Sequence, residues 1–247
     1  MPFTFAHPAA VFPFRYLPPK YYSWAGLIIG SMVPDFQAFV SLGGDKLLSH
    51  SWLGIYTYDL PLGLILLLLF HYVVRNALIA HLPPFLRERF SVYTKIKNER
   101  YFTKRYLPIL ISLLIGIYTH VIWDRLTHTT TFYYVDRLGL ELPGEKRLEV
   151  QTLLQWGSSL VGIILLLWQI KLMPVVKDFA LPFSYFYWIA IAMITSIVYF
   201  IRTRFPYEYG GEINIVLGGL MLGIVIASSL YNLRQYHIPI IPRRLPQ

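Results

Sequence analysis

Long apolar stretches alternate with short polar connections along most of the chain, and this pattern predicts its architecture. A membrane-spanning helix needs about 20 mostly apolar residues. Five stretches meet this requirement, at residues 53–74, 107–123, 153–173, 181–201 and 213–233. The last of them is rich in glycine, which favours close contact between helices in a bilayer. We therefore predict an all-α, polytopic helical membrane bundle with five or six transmembrane helices, in a single domain over residues 1–247.

A sixth apolar stretch, at residues 24–42, is interrupted by Pro34 and Asp35. The residue before a proline is disfavoured in the helical conformation, so we predict a break at this point. A broken helix at membrane depth must be buried in protein or line a hydrated cavity. Residues 1–52 are thus an N-terminal region whose helix either spans or is re-entrant, and residues 53–233 are the transmembrane bundle.

The composition supports membrane insertion. Apolar and aromatic residues make up 55% of the chain and charged residues only 14%, whereas a soluble domain carries about 25% charged residues. The chain has no cysteine, which excludes thiolate catalysis, cysteine-ligated metals and disulfides. The net charge of +9 is typical of nucleic-acid binding proteins, but in a membrane protein lysine and arginine first determine orientation.

The lysines and arginines are unequally divided between the two sides of the predicted bundle. Eight lie in a basic loop at residues 75–106, and thirteen lie on that side in total, against seven on the other. The positive-inside rule then places this loop and the C-terminus in the cytoplasm. A re-entrant first segment changes the count to thirteen against nine and leaves the orientation the same. We expect the basic loop either to fix the orientation of the protein or to contact lipid headgroups, and we expect no nucleic-acid partner.

The most informative polar residues are His120, Asp124 and His128, at the end of the stretch 107–123. Residues four apart lie on one face of a helix. Two imidazoles and a carboxylate suit Zn, Fe or Mn, and the carboxylate can bridge two ions. The alternative is that His120 makes an ordinary hydrogen bond while Asp124 pairs with Arg125 or caps a helix. Three ionisable groups at this spacing favour the metal-binding interpretation over this alternative, since such groups are costly in a membrane unless they are paired or hydrated.

Further polar groups can reach the same, extracytoplasmic end of the bundle. His50 lies in the connection between the first two stretches. Asp35 would lie in the first turn of a helix opened by Pro34, where the helix dipole favours a carboxylate; capping and metal binding are equally supported. For Asp59, we favour N-terminal capping of a span that begins near Pro61.

The remaining histidines carry weaker signals. His7 lies near the N-terminus, where a histidine is usually exposed. His71 lies at the predicted cytoplasmic end of its span, and His81 and His237 have basic surroundings. We assign these last three no role in the site.

Several motifs together resemble a family of bacterial membrane proteins, domain of unknown function 4184. They are Met-Pro-Phe-Thr-Phe-Ala-His-Pro-Ala-Ala at residues 1–10, Gly-Ser-Met-Val-Pro-Asp-Phe at 30–36, His-Ser at 50–51, Tyr-Asp-Leu-Pro-Leu-Gly at 58–63, Thr-His-Val-Ile-Trp-Asp-Arg-Leu-Thr-His at 119–128 and Leu-Gln-Trp-Gly-Ser-Ser-Leu-Val-Gly at 154–162. The resemblance covers nearly the whole chain. It implies a multi-pass protein of the bacterial inner membrane, with the lipid bilayer as its partner.

The order of the polar motifs is more distantly similar to that of zinc-dependent phospholipase C and of the membrane-bound metal-dependent hydrolases grouped with it. This similarity implies that five residues ligate a divalent metal, with zinc favoured over manganese or iron and His128 as a further ligand: His7, Asp35, His50, His120 and Asp124. The later His-x3-Glu pair of that enzyme has no counterpart here, so we expect one or two ions at most. The similarity also requires a re-entrant first segment, because a full span would separate His7 from the other ligands.

Two functional hypotheses follow. The first is a metal-dependent hydrolase of a phosphoester or other lipid-linked ester, with Asp59 or His128 as general base. The second is a non-catalytic scaffold or small transporter in which the His/Asp stripe is structural or moves ions. A transporter typically has broken segments in both halves, and only the first half has one here.

Overall fold

The computed structural model describes residues 3–42, 49–127, 144–176, 183–206 and 211–237. Every regular element in these ranges is helical. Within these ranges, five helices are long and apolar enough to cross a membrane, and they confirm the predicted all-α, multi-pass architecture. They are α3 (Trp52–His81), α5 (Asn98–Thr127), α6 (Gly144–Lys171), α7 (Tyr185–Arg202) and α8 (Glu212–His237).

Shorter helices complete the described chain. They are a 3₁₀ segment at Thr4–Tyr16, a 3₁₀ turn at Pro19–Tyr21, α1 (Trp24–Gly30), α2 (Val33–Val40), α4 (Pro84–Phe90) and a 3₁₀ turn at Ser91–Lys95. The chain forms two compact units. Unit 1 comprises Met1–Val40, Asp45–Leu67 and Ile96–Pro174, and unit 2 comprises Ser41–Gly44, Leu68–Lys95 and Val175–Gln247. The assignment of residues 1–247 to one domain stays a prediction.

The first apolar segment is broken, as predicted, but at a different residue. The break lies at Ser31 and Met32, and Val33 already begins α2. Proline is accommodated at the start of a helix because its missing N–H has no partner to lose there. Val33 therefore stays helical, and Asp35 lies in the first turn of α2 as expected.

Two glycines bring the backbones of α1 and α5 into direct contact. A Cβ atom at Gly116 would lie 2.5 Å from the carbonyl oxygen of Leu27 and 2.6 Å from the amide nitrogen of Ser31. At Gly30, a Cβ would collide with the carbonyl of Leu113. This close approach places the Ser31 carbonyl beside α5, about one helical turn before His120.

The start of α1 is also tied to α5. The Ser23 hydroxyl caps α1 by accepting from the amide of Gly26 at 3.0 Å, and the Ser23 amide donates to the hydroxyl of Ser112 at 2.8 Å. Arg105 donates to the carbonyl of Tyr22 at 2.5 Å. Both ends of α1 are thereby held against one helix.

The N-terminal 3₁₀ segment packs along α6. The Phe3 amide donates to the Ser159 hydroxyl at 2.7 Å, and Arg15 donates to the side chain of Gln169 at 2.5 Å. Between these contacts, a Cβ at Gly162 would lie 2.9 Å from the Cβ of Ala6. The segment is therefore fixed at both ends, and His7 is buried within it.

In unit 2, α7 packs on α8 through the predicted glycine-rich face. A Cβ at Gly223 would lie 3.0 Å from the carbonyl oxygen of Ile191, and one at Gly219 would lie 3.2 Å from the Cα of Thr195. Small residues allow this approach where helices associate in a bilayer. The core of the unit is formed by Ala77, Tyr187, Ile191 and Ala227.

Candidate metal centre

Four side chains from three separate parts of unit 1 meet at one point. Asp35 comes from α2, His50 from the residues before α3, and His120 and Asp124 from successive turns of α5. One potential ligand atom from each lies within 4.8 Å of all the others. His50 is partly exposed, and the other three are buried. The sequence predicted this convergence; that these residues bind a metal stays a prediction.

The His120 ring is oriented by the end of α1. Its Nδ1 lies 2.8 Å from the carbonyl oxygen of Ser31. A carbonyl oxygen only accepts, so Nδ1 carries the proton and donates. Nε2 is thereby turned towards the other three side chains. Metal-bound histidines characteristically donate their second ring N–H to a carbonyl or carboxylate in this way.

Three of the distances between the donor atoms are close to the edge of a tetrahedral metal site, and the distances to Asp35 are longer. The Nε2 of His50 lies 3.3 Å from the Nε2 of His120 and 3.3 Å from the Oδ2 of Asp124. The same Oδ2 lies 3.5 Å from the Nε2 of His120, and the Oδ1 of Asp35 lies 3.9 Å from each imidazole nitrogen. With bonds of about 2.0–2.1 Å, tetrahedral ligands are about 3.3 Å apart. The two imidazole nitrogens and the Oδ2 of Asp124 are therefore spaced like tetrahedral ligands, whereas the Oδ1 of Asp35 lies further away.

Asp35 is held by the N-terminal segment. The Thr4 hydroxyl donates to its Oδ2 at 2.6 Å, which leaves Oδ1 facing the imidazoles of His50 and His120. The carboxylate also lies in the first turn of α2, where the helix dipole favours it. The two roles weighed for Asp35 in the sequence are therefore compatible in the structure.

His50 adopts a strained backbone conformation, with a φ of 68°. Histidine reaches this left-handed region more often than most residues, but at a cost. The neighbouring Ser49 holds the loop by donating its amide to the side chain of Gln37 at 2.9 Å, and its hydroxyl lies 3.0 Å from the Nδ1 of His50. These contacts direct the Nε2 of His50 into the cluster.

His7 joins the cluster from the 3₁₀ segment. Its ring stacks on that of His120, with centroids 3.9 Å apart and an interplanar angle of 23°. Its Nε2 lies 3.6 Å from the Oδ1 of Asp124, so Asp124 presents one oxygen to His7 and the other to His50 and His120. Burial, together with the nearby His120, lowers the pKa of His7 to about 4. The ring is therefore neutral near pH 7, the form that ligates metals.

Asp59 lies close to the same histidines, but not as a helix cap. It is fully buried, interacts electrostatically with His50 and His120, and neither carboxylate oxygen has a hydrogen-bond partner among the described residues. The capping prediction is wrong because α3 begins earlier, at Trp52, with Ser51 as its cap. Asp59 instead ends a π-helical turn inside α3, a feature that recurs at functional sites.

A comparison with protein families identifies the chain. The family described as Domain of unknown function (DUF4184) matches residues 1–232. The chain belongs to this family. The match spans every side chain of the cluster described above. No curated protein and no solved structure matches the chain.

Two residues of this DUF4184 protein orient the cluster and were not found by sequence reasoning. Thr4 is three residues before His7, and such residues share a face of a 3₁₀ helix, so that spacing was the available signal. Ser31 acts through its backbone carbonyl, a group that every residue type carries. Of the other predicted residues, His128 lies outside the part of the chain that the structure describes.

Proposed function

We propose that this DUF4184 protein is a membrane-bound, metal-dependent hydrolase of a phosphoester or other lipid-linked ester. Asp35, His50, His120 and Asp124 would hold the ion, and His7 would bind on the other side of Asp124. Zinc is the first choice, with manganese and iron as alternatives. The observation that carries the proposal is the convergence of four donor atoms within 4.8 Å of one another, with the His120 ring and the Asp35 carboxylate oriented by hydrogen bonds to neighbouring groups.

The charge of the cluster supports a cation. Asp35 and Asp124 are buried, and burying a carboxylate costs several kcal/mol unless an opposite charge compensates it. A divalent ion would neutralise both carboxylates and accept the lone pairs of the ring nitrogens at the same time.

The arrangement suits hydrolysis. A bound divalent ion lowers the pKa of a water ligand towards about 7 and stabilises charge developing on the ester oxygen. The water oxygen would form the new bond to phosphorus or to the acyl carbon, while the bond to the leaving alcohol breaks. Asp59 would take the proton from the water and return it to the leaving oxygen. Its burial and its place beside His50 and His120 support this role, and His128 is the alternative base.

The lysine and arginine distribution supports a site at the extracytoplasmic face of a bacterial inner membrane, with the C-terminus in the cytoplasm. Because the chain has no cysteine, single cysteines can report the orientation. An impermeant thiol reagent applied to intact cells should label Gly44→Cys and leave Thr94→Cys unlabelled. The reverse pattern would place the site on the cytoplasmic side.

The function is tested by assaying purified protein in detergent, metal-free and then reloaded with zinc, manganese or iron. A phosphodiester lipid and a carboxyl-ester lipid are offered separately. We expect hydrolysis of one of them only after reloading. Asp59→Asn should keep the metal but lose activity by about 10²–10⁴-fold, the usual contribution of a general base. Full loading without hydrolysis of either lipid would favour the scaffold or transporter hypothesis.

A further inference from the structure

An apolar groove of about 580 Å³ lies beside the cluster. Its walls are the N-terminal 3₁₀ segment, α5 and α6, all within unit 1. Most of its lining is apolar or small, and includes Ala6, Ala10, Ile122, Val161 and Leu165. The volume falls within the range of about 300–1,000 Å³ that is typical of small-molecule sites.

One wall of the groove contains a residue of the cluster. His7 lines the groove, and the same ring stacks on His120 and faces Asp124. The other polar lining groups are the hydroxyls of Thr119 and Ser158 and the indole N–H of Trp123, and that N–H already lies 3.4 Å from the Ser158 hydroxyl. The groove is thus apolar along its length and meets the proposed metal site at His7.

The bilayer supplies an occupant of matching chemistry. The groove is lined by two membrane-spanning helices, and Ile122 and Val161 on its walls are more than half exposed. Hydrocarbon is the neighbour that such side chains meet in a membrane. We propose that the groove holds one hydrocarbon chain of a lipid whose ester bond lies at the cluster. This inference rests on the proposed function and names its substrate class: a lipid with at least one long chain.

Gly157 determines how much chain the groove accepts. It lines the groove, and a Cβ placed on it meets no atom within 4 Å. A larger side chain there enters the open space of the groove without colliding with the protein. No atom of a cluster residue lies within 4 Å of that Cβ position, so such a substitution separates chain binding from metal binding.

The test compares Gly157→Leu with Gly144→Leu. Gly144 lies in the same helix and also has open space at its Cβ, but it does not line the groove. Both variants are purified in detergent and titrated with dipalmitoyl phosphatidylglycerol, and native mass spectrometry counts the bound lipid. Gly157→Leu should weaken the tightest binding by at least about tenfold, the effect of losing about two methylene contacts. Gly144→Leu should bind as the wild type, and zinc content should be unchanged in both.

Hydrolysis gives a second readout. With long-chain and short-chain versions of one ester, Gly157→Leu should slow cleavage of the long-chain version only. Ala10→Leu, on the wall formed by the 3₁₀ segment, should act in the same way and serves if Gly157→Leu does not fold. Unchanged lipid binding in Gly157→Leu and in Ala10→Leu would overturn the inference. An equal loss of activity on the long-chain and the short-chain ester would overturn it too. If lipid binding is lost as expected while the wild type cleaves no ester, the groove stands as a lipid site and only the proposed function fails.

Discussion

Two fully buried histidines, His120 in unit 1 and His81 in unit 2, make the same kind of hydrogen bond through Nδ1 but have different groups around Nε2. Both rings direct Nδ1 to a backbone carbonyl, that of Ser31 at 2.8 Å for His120 and that of Ala77 at 2.7 Å for His81. The Nε2 of His120 then faces another imidazole and two carboxylates.

His81 lies among aromatic rings instead. It stacks on Tyr187 with centroids 4.2 Å apart, and Tyr231 meets it edge-on at 4.9 Å. Its Nε2 has no hydrogen-bond partner among the described residues. Burial and a fixed tautomer are therefore not sufficient for a metal site: the groups around the second nitrogen determine whether the ring could ligate a metal or only packs in a core.

The largest expected difference between the two histidines is in bound metal. His120→Ala removes one ligand and Asp124→Asn removes a charge, so each should lower the zinc content of purified protein at least about tenfold. His81→Ala should leave it unchanged. Elemental analysis of the three variants checks this, and membrane insertion is the control, since it depends on the apolar spans. An equal loss of metal in His81→Ala would contradict the proposed difference between a ligand histidine and a core histidine.

The next effect is on the stability of the metal-free protein. His81→Ala removes a ring that packs against two others, and we expect a loss of about 3 kcal/mol in the free energy of unfolding. His81→Phe keeps the ring and loses only the hydrogen bond to Ala77, at a cost of about 1 kcal/mol. Denaturant unfolding in detergent measures both. Two equal losses would show that the hydrogen bond, rather than the aromatic packing, holds this region together.

Added zinc should stabilise the His81 variant but not the Asp124 variant. At a free zinc concentration of about 100 times Kd, binding stabilises the folded state by about 2.7 kcal/mol. We expect this shift in wild type and in His81→Ala, and none in Asp124→Asn. Thermal unfolding with and without zinc is the measurement. An equal shift in Asp124→Asn would mean that the ion binds somewhere else.

A further effect is an acid sensitivity that arises from His7. Its pKa is lowered to about 4 in the folded protein, whereas an unfolded chain takes up this proton near pH 6.5. As the pH falls between these values the unfolded state binds more protons, so stability falls. From pH 7.5 to 5 the contribution is about 2 kcal/mol in the metal-free protein. His7→Phe, which keeps a ring against His120, should be less acid-sensitive than wild type by that amount; an identical pH profile would contradict this.

Spacing along single helices made much of the unit 1 site predictable. His120 and Asp124 are four residues apart, and that spacing alone placed them on one face of a helix. The same reasoning finds no such stripe at His81, because Ala77, four residues earlier in the same helix, has no ligand atom in its side chain. The five spans followed from the length of their apolar runs, since few other structures bury so many consecutive apolar residues.

Contacts between elements were harder to predict. The position of His7 depends on how the 3₁₀ segment lies along α6, and this is set by a close approach at Gly162 that no local pattern encodes. The burial of His81 likewise depends on Tyr187 and Tyr231, which are distant in sequence. The sequence predicts a helix cap at Asp59 because a proline such as Pro61 is typical of a helix start, whereas in the structure a π-turn precedes Pro61 inside α3.

The most direct test of the central claim is the metal content of the wild-type protein. Protein purified without chelator and resupplied with zinc or manganese is analysed for stoichiometry, and the ligands are measured by X-ray absorption at the metal edge. We predict stoichiometric metal with only nitrogen and oxygen ligands at about 2.0–2.2 Å, including imidazoles. Absence of stoichiometric metal after both treatments would contradict the metal centre and the hydrolase built on it.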